Sequence, residues 1–202
     1  MKFMKIKLLV IALIMFAASS AFASLSYDVS VDTSSLSGLG YIYMQYNTAV
    51  NQVGTTTAYV QNFATDGTLG STVASTLPGV NSSNVSGVLP ATVSFTNGIV
   101  QTVDYNQAIT FGNSFHFSLL LPNSTASNAG SNFTLWLAAD AAGTPLKTDD
   151  GLLLTIGLNA DGTATALIAD AGTTATPTPI PAAAWLLGSG LMGLVGLRRR
   201  KE

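Results

Sequence analysis

The chain has 202 residues, of which 48% are hydrophobic and only 9% charged, with a formal net charge of −2 and no cysteine. The absence of Cys excludes thiol nucleophiles, Cys zinc sites, thiolate-bound clusters and disulfide staples. Apart from Lys147, every Lys and Arg lies at one of the two ends, so the stretch from about Ser24 to Thr176 sets nine Asp against one Lys and one His, a net charge near −8. Such a surface repels nucleic-acid phosphates and anionic lipid, which removes both as expected partners.

In chain order, the first element is a leader. Lys2, Lys5 and Lys7 form a positive region, Leu8 to Ala18 an apolar one, and Ala21-Phe22-Ala23 a small-x-small cleavage site. Residues 1–23 therefore read as a secretory signal peptide, with Ala21 and Ala23 marking the peptidase site and Ser24 opening the mature chain.

Residues 24–172 read as one domain, because about 150 residues build a single core. Tyr27, Val29 and Val31 alternate with Asp28, Ser30 and Asp32, a period-2 strand. Leu39 to Asn47 is apolar on both faces, as in a central strand. Thr56 to Phe63 is a further strand, and Leu69 to Ala74 is expected to pair back on it across Asp66-Gly67. Pro78 to Pro90 reads as a long loop. Ala91 to Phe95 and Ile99 to Val103 flank Asn97-Gly98, the strongest short hairpin signal of the chain. Ala108 to Leu121 is one long strand or two strands bent at Gly112-Asn113. Phe133, Leu135 and Leu137 share a face, with Trp136 on the other. Leu152, Leu154, Ile156 and Leu158 alternate cleanly, and Ala160-Asp161-Gly162 turns that strand into Thr163 to Ile168. No window has a helical period. Many short strands with frequent turn signals predict an all-β, antiparallel β-sandwich of jelly-roll or immunoglobulin-like type.

Chemistry is sparse in this domain. His116, between Phe115 and Phe117, reads as a solvent-facing strand position. No Gly-x-Ser-x-Gly turn supports a Ser–His–Asp triad, and no phosphate-binding glycine loop precedes a helix. Glycoside hydrolysis needs two carboxylates set across a sugar. The domain has no Glu, and Asp66-Gly67, Asp150-Gly151 and Asp161-Gly162 read as turns. No catalytic residue, no enzyme activity and no cofactor is expected. Calcium is the one ion whose chemistry the residues suit, through Asp149 and Asp150 with Asp161 or Asp140, although acidic loops are ordinarily just solvated. Tyr41, Tyr43, Trp136 and Tyr105 are the candidates for stacking on sugars. Aromatics in a sandwich more often serve the core or cross-strand pairs.

Residues 173–179, rich in Thr and Pro, read as an extended linker. The final segment, 180–202, joins an uncharged run from Ile180 to Leu197 to the cluster Arg198, Arg199, Arg200 and Lys201. As a helix the run spans roughly 27 Å, close to a bilayer's hydrocarbon thickness. The positive-inside rule holds the cluster in the cytoplasm.

With Pro179, Ile180 and Pro181 ahead of that helix, the last 24 residues resemble the PEP-CTERM sorting signal of Gram-negative bacteria. The resemblance rests on the Pro-x-Pro motif, the short apolar helix, the basic terminus and the run Ala-Ala-Ala-Trp-Leu-Leu-Gly-Ser-Gly-Leu. Ile180 departs from the pattern, which has Glu there. The resemblance implies a substrate of exosortase, a membrane peptidase that cleaves near the Pro-x-Pro. A permanent single-span anchor is the alternative. The opening Tyr27 to Gly38, with Phe63, Thr110 to Asn113 and Thr155 to Gly162, resembles a family of secreted PEP-CTERM proteins of unknown role.

Together these readings lead to an exported bacterial protein, anchored in the inner membrane until processing and then at the cell surface or outside. Its expected role is structural or interactive, in exopolysaccharide or biofilm matrix. The alternative is a carbohydrate-binding module at the cell surface. The expected partners are the exosortase-type peptidase and extracellular polysaccharide.

Overall fold

Alternation of apolar and polar side chains builds most of this fold. In the computed structural model, residues 25–50, 52–74, 80–98 and 102–178 are described. The leader with Ala21 and Ala23 lies outside them. So does the tail with Pro179, Ile180, Pro181, Arg198, Arg199, Arg200 and Lys201.

The described residues form thirteen strands and no helix. In order these are β1 (Leu25–Asp32), β2 (Leu39–Asn47), β3 (Thr56–Thr65), β4 (Thr68–Val73), β5 (Val80–Asn81), β6 (Val85–Ser86) and β7 (Val93–Asn97). There follow β8 (Thr102–Thr110), β9 (Ser114–Leu121), β10 (Asn132–Ala138), β11 (Leu152–Leu158), β12 (Ala164–Ile168) and β13 (Thr173–Thr178). The period-2 reading holds in detail: β1 buries Tyr27, Val29 and Val31 and exposes Asp28, Ser30 and Asp32.

The strands make two sheets. One has the order β13-β1-β9-β3-β7-β6, and the other β12-β11-β10-β2-β8-β4 with β5 added on β8. Every pairing is antiparallel except that of β5 with β8. The central position expected for Leu39–Asn47 is the one it occupies, between β10 and β8. The two sheets face each other across one aromatic core. Phe117 of β9 and Phe133 of β10 have ring centroids 6.3 Å apart, and Phe133 meets Phe95 of β7 edge-on at 5.9 Å. These contacts cross from sheet to sheet, and burying each such ring contributes about 1.5–3 kcal/mol.

Four expectations are corrected. Asp66-Gly67 does not close a hairpin, because β3 and β4 lie in different sheets and β4 pairs with β8. The turn's chemistry serves an arch between sheets. Asn97-Gly98 likewise joins β7 of one sheet to β8 of the other. Of the segment 173–179 read as an extended linker, Thr173–Thr178 is the edge strand β13, paired with β1 from Val31↔Thr173 to Ser26↔Thr178. Its Thr-rich alternation suits a strand, and Pro177 is tolerated because an edge strand leaves one row of backbone groups unpaired. The segment expected as a long loop also carries the two short strands β5 and β6. The Ala160-Asp161-Gly162 turn does close a hairpin, between β11 and β12. Gly112-Asn113 is the bend between β8 and β9, where the chain changes sheet.

Candidate functional site

The outer faces of the two sheets differ in chemistry. On the smaller sheet, β1 and β9 present Asp28 opposite Ser118 and Ser30 opposite His116. His116 is exposed, as expected. Asp28 Oδ1 accepts from the Ser118 hydroxyl at 3.1 Å, so this carboxylate is engaged by serine. The face is a polar strand surface, and nothing in its geometry assembles a relay around His116.

The larger sheet carries a different pattern on β10, β2 and β8. Trp136 stands opposite Tyr43, and Tyr43 opposite Asn106. One step along the strands, Thr134 stands opposite Gln45, and Gln45 opposite Asp104. Directly opposed residues share a face, with about 5 Å between strands and about 7 Å between i and i+2. These six side chains therefore tile one patch. Tyr41 extends it, with its ring 6.4 Å from that of Tyr43 at an interplanar angle of 52°.

The connection between β10 and β11, residues 139–151, reaches this patch. The Tyr43 hydroxyl donates to the Asp140 carbonyl at 3.2 Å. That connection is internally ordered. The Asp140 carboxylate accepts from the Ala142 and Thr144 N–H groups, each at 3.0 Å, and from the Thr144 hydroxyl at 2.6 Å. Asp150 Oδ1 accepts from the Leu152 N–H at 3.0 Å. A groove of about 250 Å³ results, lined by Tyr43, Gln45, Trp136, Ala142, Gly143 and Asp150 among others.

Its electrostatics are negative. Burial first, and then the charges of Asp104 and Asp140, push the Tyr43 hydroxyl above its ordinary range. The Thr144 hydroxyl, then its backbone N–H, hold Asp140 below the usual carboxylate value, so that charge persists at neutral pH. Lys147 is the one Lys or Arg between residues 24 and 176, and it is committed elsewhere. Its ammonium pairs with Asp170 at 3.1 Å and donates to the Asp32 carbonyl.

The patch also holds polar atoms that the fold leaves unused. Thr134 Oγ1, Asn106 Oδ1 and Trp136 Nε1 are buried and find no hydrogen-bond partner among the described residues. Thr134 is 7% exposed and Asn106 4%. Each such group costs about 1–3 kcal/mol.

Of the four aromatics singled out from sequence, the structure brings Tyr41, Tyr43 and Trp136 together and excludes Tyr105. Tyr105 has the opposite parity on β8 from Asp104 and Asn106. It points into the core, 6.3 Å edge-on from Phe95, and its hydroxyl accepts from the Leu89 N–H. Sequence reasoning missed Gln45, Asn106, Asp104 and Thr134 as members of the patch. Their alternation with apolar residues was visible, but their neighbours across the sheet were not.

The carboxylates considered for calcium do not converge. Among the described residues no three His, Asp or Glu side chains are grouped to hold a metal. Asp140 and Asp150 turn onto their own connection, and Asp161 accepts from the Thr163 N–H and hydroxyl. Searches of family models, of characterised proteins and of solved structures return no match to this chain.

Proposed function

We propose that this chain is an exported surface or matrix protein that works by binding polysaccharide, without catalysis. The observation that carries the reading is the patch on β10, β2 and β8. Tyr41, Tyr43 and Trp136 offer apolar ring faces for the C–H surfaces of sugars. Gln45 and Asp150 line the same groove and add polar groups beside the rings. The PEP-CTERM-like tail and the leader support delivery to the outside, with the tail an inner-membrane anchor until an exosortase-type peptidase releases the chain near Pro179–Pro181.

The strand topology supports the jelly-roll form of the sandwich over the immunoglobulin-like one. β1, β2, β3 and β4 alternate between the sheets, and so do β7, β8, β9 and β10. Immunoglobulin-like sandwiches instead keep consecutive strands together more often.

Two measurements test the proposal. Retention of the protein on immobilised polysaccharide, lost in Trp136→Ala, tests the binding role; retention unaffected by that change would move the site elsewhere. Intact mass of the chain from cells with and without exosortase tests the sorting. A product running from Ser24 to near Pro179 only when exosortase is present supports release, whereas a chain keeping Arg198–Lys201 in both would make the tail a permanent anchor.

A further inference from the structure

We infer that one end of the sandwich is a bilayer-contact face, where Val50 and Val53 enter the interface of the membrane that holds the tail. This inference rests on the reading of residues 180–202 as a membrane anchor and is independent of glycan binding. β13 ends at Thr178, opposite Ser26 at the start of β1, and Leu25 stands opposite Leu121 at the end of β9. On β3, Tyr59 stands opposite Leu120 and Thr56 opposite Asn97, so the start of β3 and the end of β7 lie at this same end. The Asn97 amide donates to the Tyr46 carbonyl at 2.7 Å, which brings the end of β2 in the other sheet alongside. There Asn47 stands opposite Asn132 and Thr102. The chain therefore leaves the domain from the end that carries the connections 48–55 and 122–131. Only Pro179 separates Thr178 from Ile180, where the uncharged run begins, a step of at most about 7 Å. A tether that short turns this end toward the bilayer.

Two features fit this end for lipid. The β2–β3 connection displays valines from a pinned base: Val50 is 83% exposed and Val53 77%, while Ala49 and Gln52 are buried. Gln52 Nε2 donates to the Asn97 carbonyl at 3.2 Å, and its Oε1 accepts from the Ser131 hydroxyl at 3.1 Å. Ser131 Oγ in turn accepts from the Ala49 N–H at 2.9 Å, so the connection is held from beneath. The second feature is segregation of charge. Asp32, Asp66, Asp140, Asp149, Asp150 and Asp170, six of the nine Asp between residues 24 and 176, lie at the opposite end, in or beside its connections. The connections 48–55 and 122–131 carry no charged residue, and Asp161 in the β11–β12 turn is the one acid at the tail end. An uncharged rim with apolar tips enters headgroups at little electrostatic cost, whereas the acidic end stays in water. At about 1.5–3 kcal/mol each for full burial, two valines orient a domain that is already anchored and do not recruit it alone. The groove beside Trp136 is lined by Ala142, Gly143 and Asp150 from the acidic end, so it then opens away from the bilayer.

The chain has no cysteine, so a single introduced thiol reports one position. Val50→Cys and Val53→Cys are compared with Leu39→Cys, a 61% exposed apolar position at the opposite end, each labelled with bimane. Each full chain, isolated from bacterial membranes, is reconstituted into phosphatidylcholine vesicles with and without brominated acyl chains. Interfacial residues reach about 5–10 Å into the headgroup and acyl boundary, so bromine should quench the Val50 and Val53 reporters by about half and the Leu39 reporter hardly at all. Val53→Asp should reduce quenching of the Val50 reporter at least about twofold, and Val53→Leu should keep it. Equal quenching of the Leu39 and Val50 reporters, or none of the Val50 and Val53 reporters, in chains that float with the vesicles overturns the contact face and leaves the anchor standing. Protection of the Val50 and Val53 reporters from aqueous iodide without quenching by bromine gives the face to a second copy of the chain and overturns its assignment to lipid. Chains that do not float with the vesicles overturn the anchor reading and this inference with it.

Discussion

Asp66 and Asn113, 47 residues apart, clasp the two arches through which the chain changes sheet. Asp66 Oδ2 accepts from the Asn113 backbone N–H at 3.0 Å and from its side-chain amide at 2.7 Å, while Oδ1 accepts from the Ser114 N–H at 2.9 Å. The glycines beside them make the approach feasible. A Cβ on Gly112 would lie 2.6 Å from the Gly67 nitrogen, and one on Gly67 would lie 2.4 Å from the Thr110 carbonyl oxygen. Both obstacles are backbone, which cannot swing aside as a side chain can. Gly112→Ala should therefore destabilise the domain by about 1–3 kcal/mol through overpacking. At about 2–4 °C of Tm per kcal/mol, a thermal melt resolves this easily. A Tm equal to that of the parent would show that the arches are not tightly apposed.

Acid should weaken the domain through its turn carboxylates. Hydrogen bonds hold four of them below their ordinary value of 3.8: from the Ser34 side chain and N–H to Asp32, from the Ser114 and Asn113 N–H groups to Asp66, from the Thr144 hydroxyl to Asp140, and from the Thr163 hydroxyl to Asp161. A depressed carboxylate contributes stability that is present above its unfolded value and is lost as pH falls through its folded value. The Tm should thus be flat between about pH 5 and 8 and drop below about pH 4. Combining Asp66→Asn, Asp140→Asn and Asp161→Asn should lower the Tm at neutral pH and flatten the acid slope. Relief of the domain's net negative charge acts in the opposite sense. A wild-type Tm that rises on acidification from neutrality to pH 3 would show that this relief outweighs the carboxylate bonds.

Lys147 adopts φ 68°, a backbone conformation that glycine favours, so its side chain must offset a local strain. It does so by joining the connection before β11 to the ends of β1 and β12, through the Asp32 carbonyl and the Asp170 carboxylate. Both side chains of the ion pair are largely enclosed, at 9% and 11% exposure, which separates this pair from an ordinary surface one. Lys147→Ala keeps the backbone penalty and deletes the tether. It should cost about 1–3 kcal/mol, chiefly from the charge and carbonyl left without a donor. A melt in moderate salt measures it, and a change within error would reclassify the pair as solvated.

The faces of the strands were legible from sequence because period-2 alternation is local. The burial of Tyr27, Val29 and Val31, the central place of β2 and the β11–β12 hairpin all follow from it. What was not legible is which sheet each strand joins. Asp66-Gly67 and Asn97-Gly98 carry the residues of two-residue hairpins, yet both serve crossings between sheets. The deciding interactions come from residues far away in sequence: Asn113 for the first, and for the second the Tyr46 carbonyl, which accepts from the Asn97 amide at 2.7 Å. β13 was hidden by composition, since Thr and Pro suit a linker and an edge strand equally. The patch was half legible. Tyr43 and Trp136 stood out as aromatics, but that they oppose each other, with Asn106 completing the row, is a fact of register that no single strand contains.

Trp136 should separate binding from folding. It occupies the outer face, half-buried, while Leu135 and Leu137 on either side of it are fully buried in the core. Trp136→Ala removes the indole face and its unpartnered Nε1 without opening the core, so polysaccharide affinity should fall at least about tenfold while the Tm shifts by no more than a few degrees. Phe133→Ala is the contrasting change. It excises the ring that meets both Phe117 and Phe95, and large-to-small changes of this kind cost about 3–5 kcal/mol. Its affinity, measured at a temperature where the variant remains folded, should match that of the parent. If the two variants exchange these behaviours, the indole is a packing residue and the outer patch is not the binding face. If both lose affinity in proportion to their loss of stability, binding reports only the folded fraction. The mechanism proposed here requires affinity and stability to separate at Trp136, because its ring contributes to the ligand's surroundings and not to the seam between the sheets.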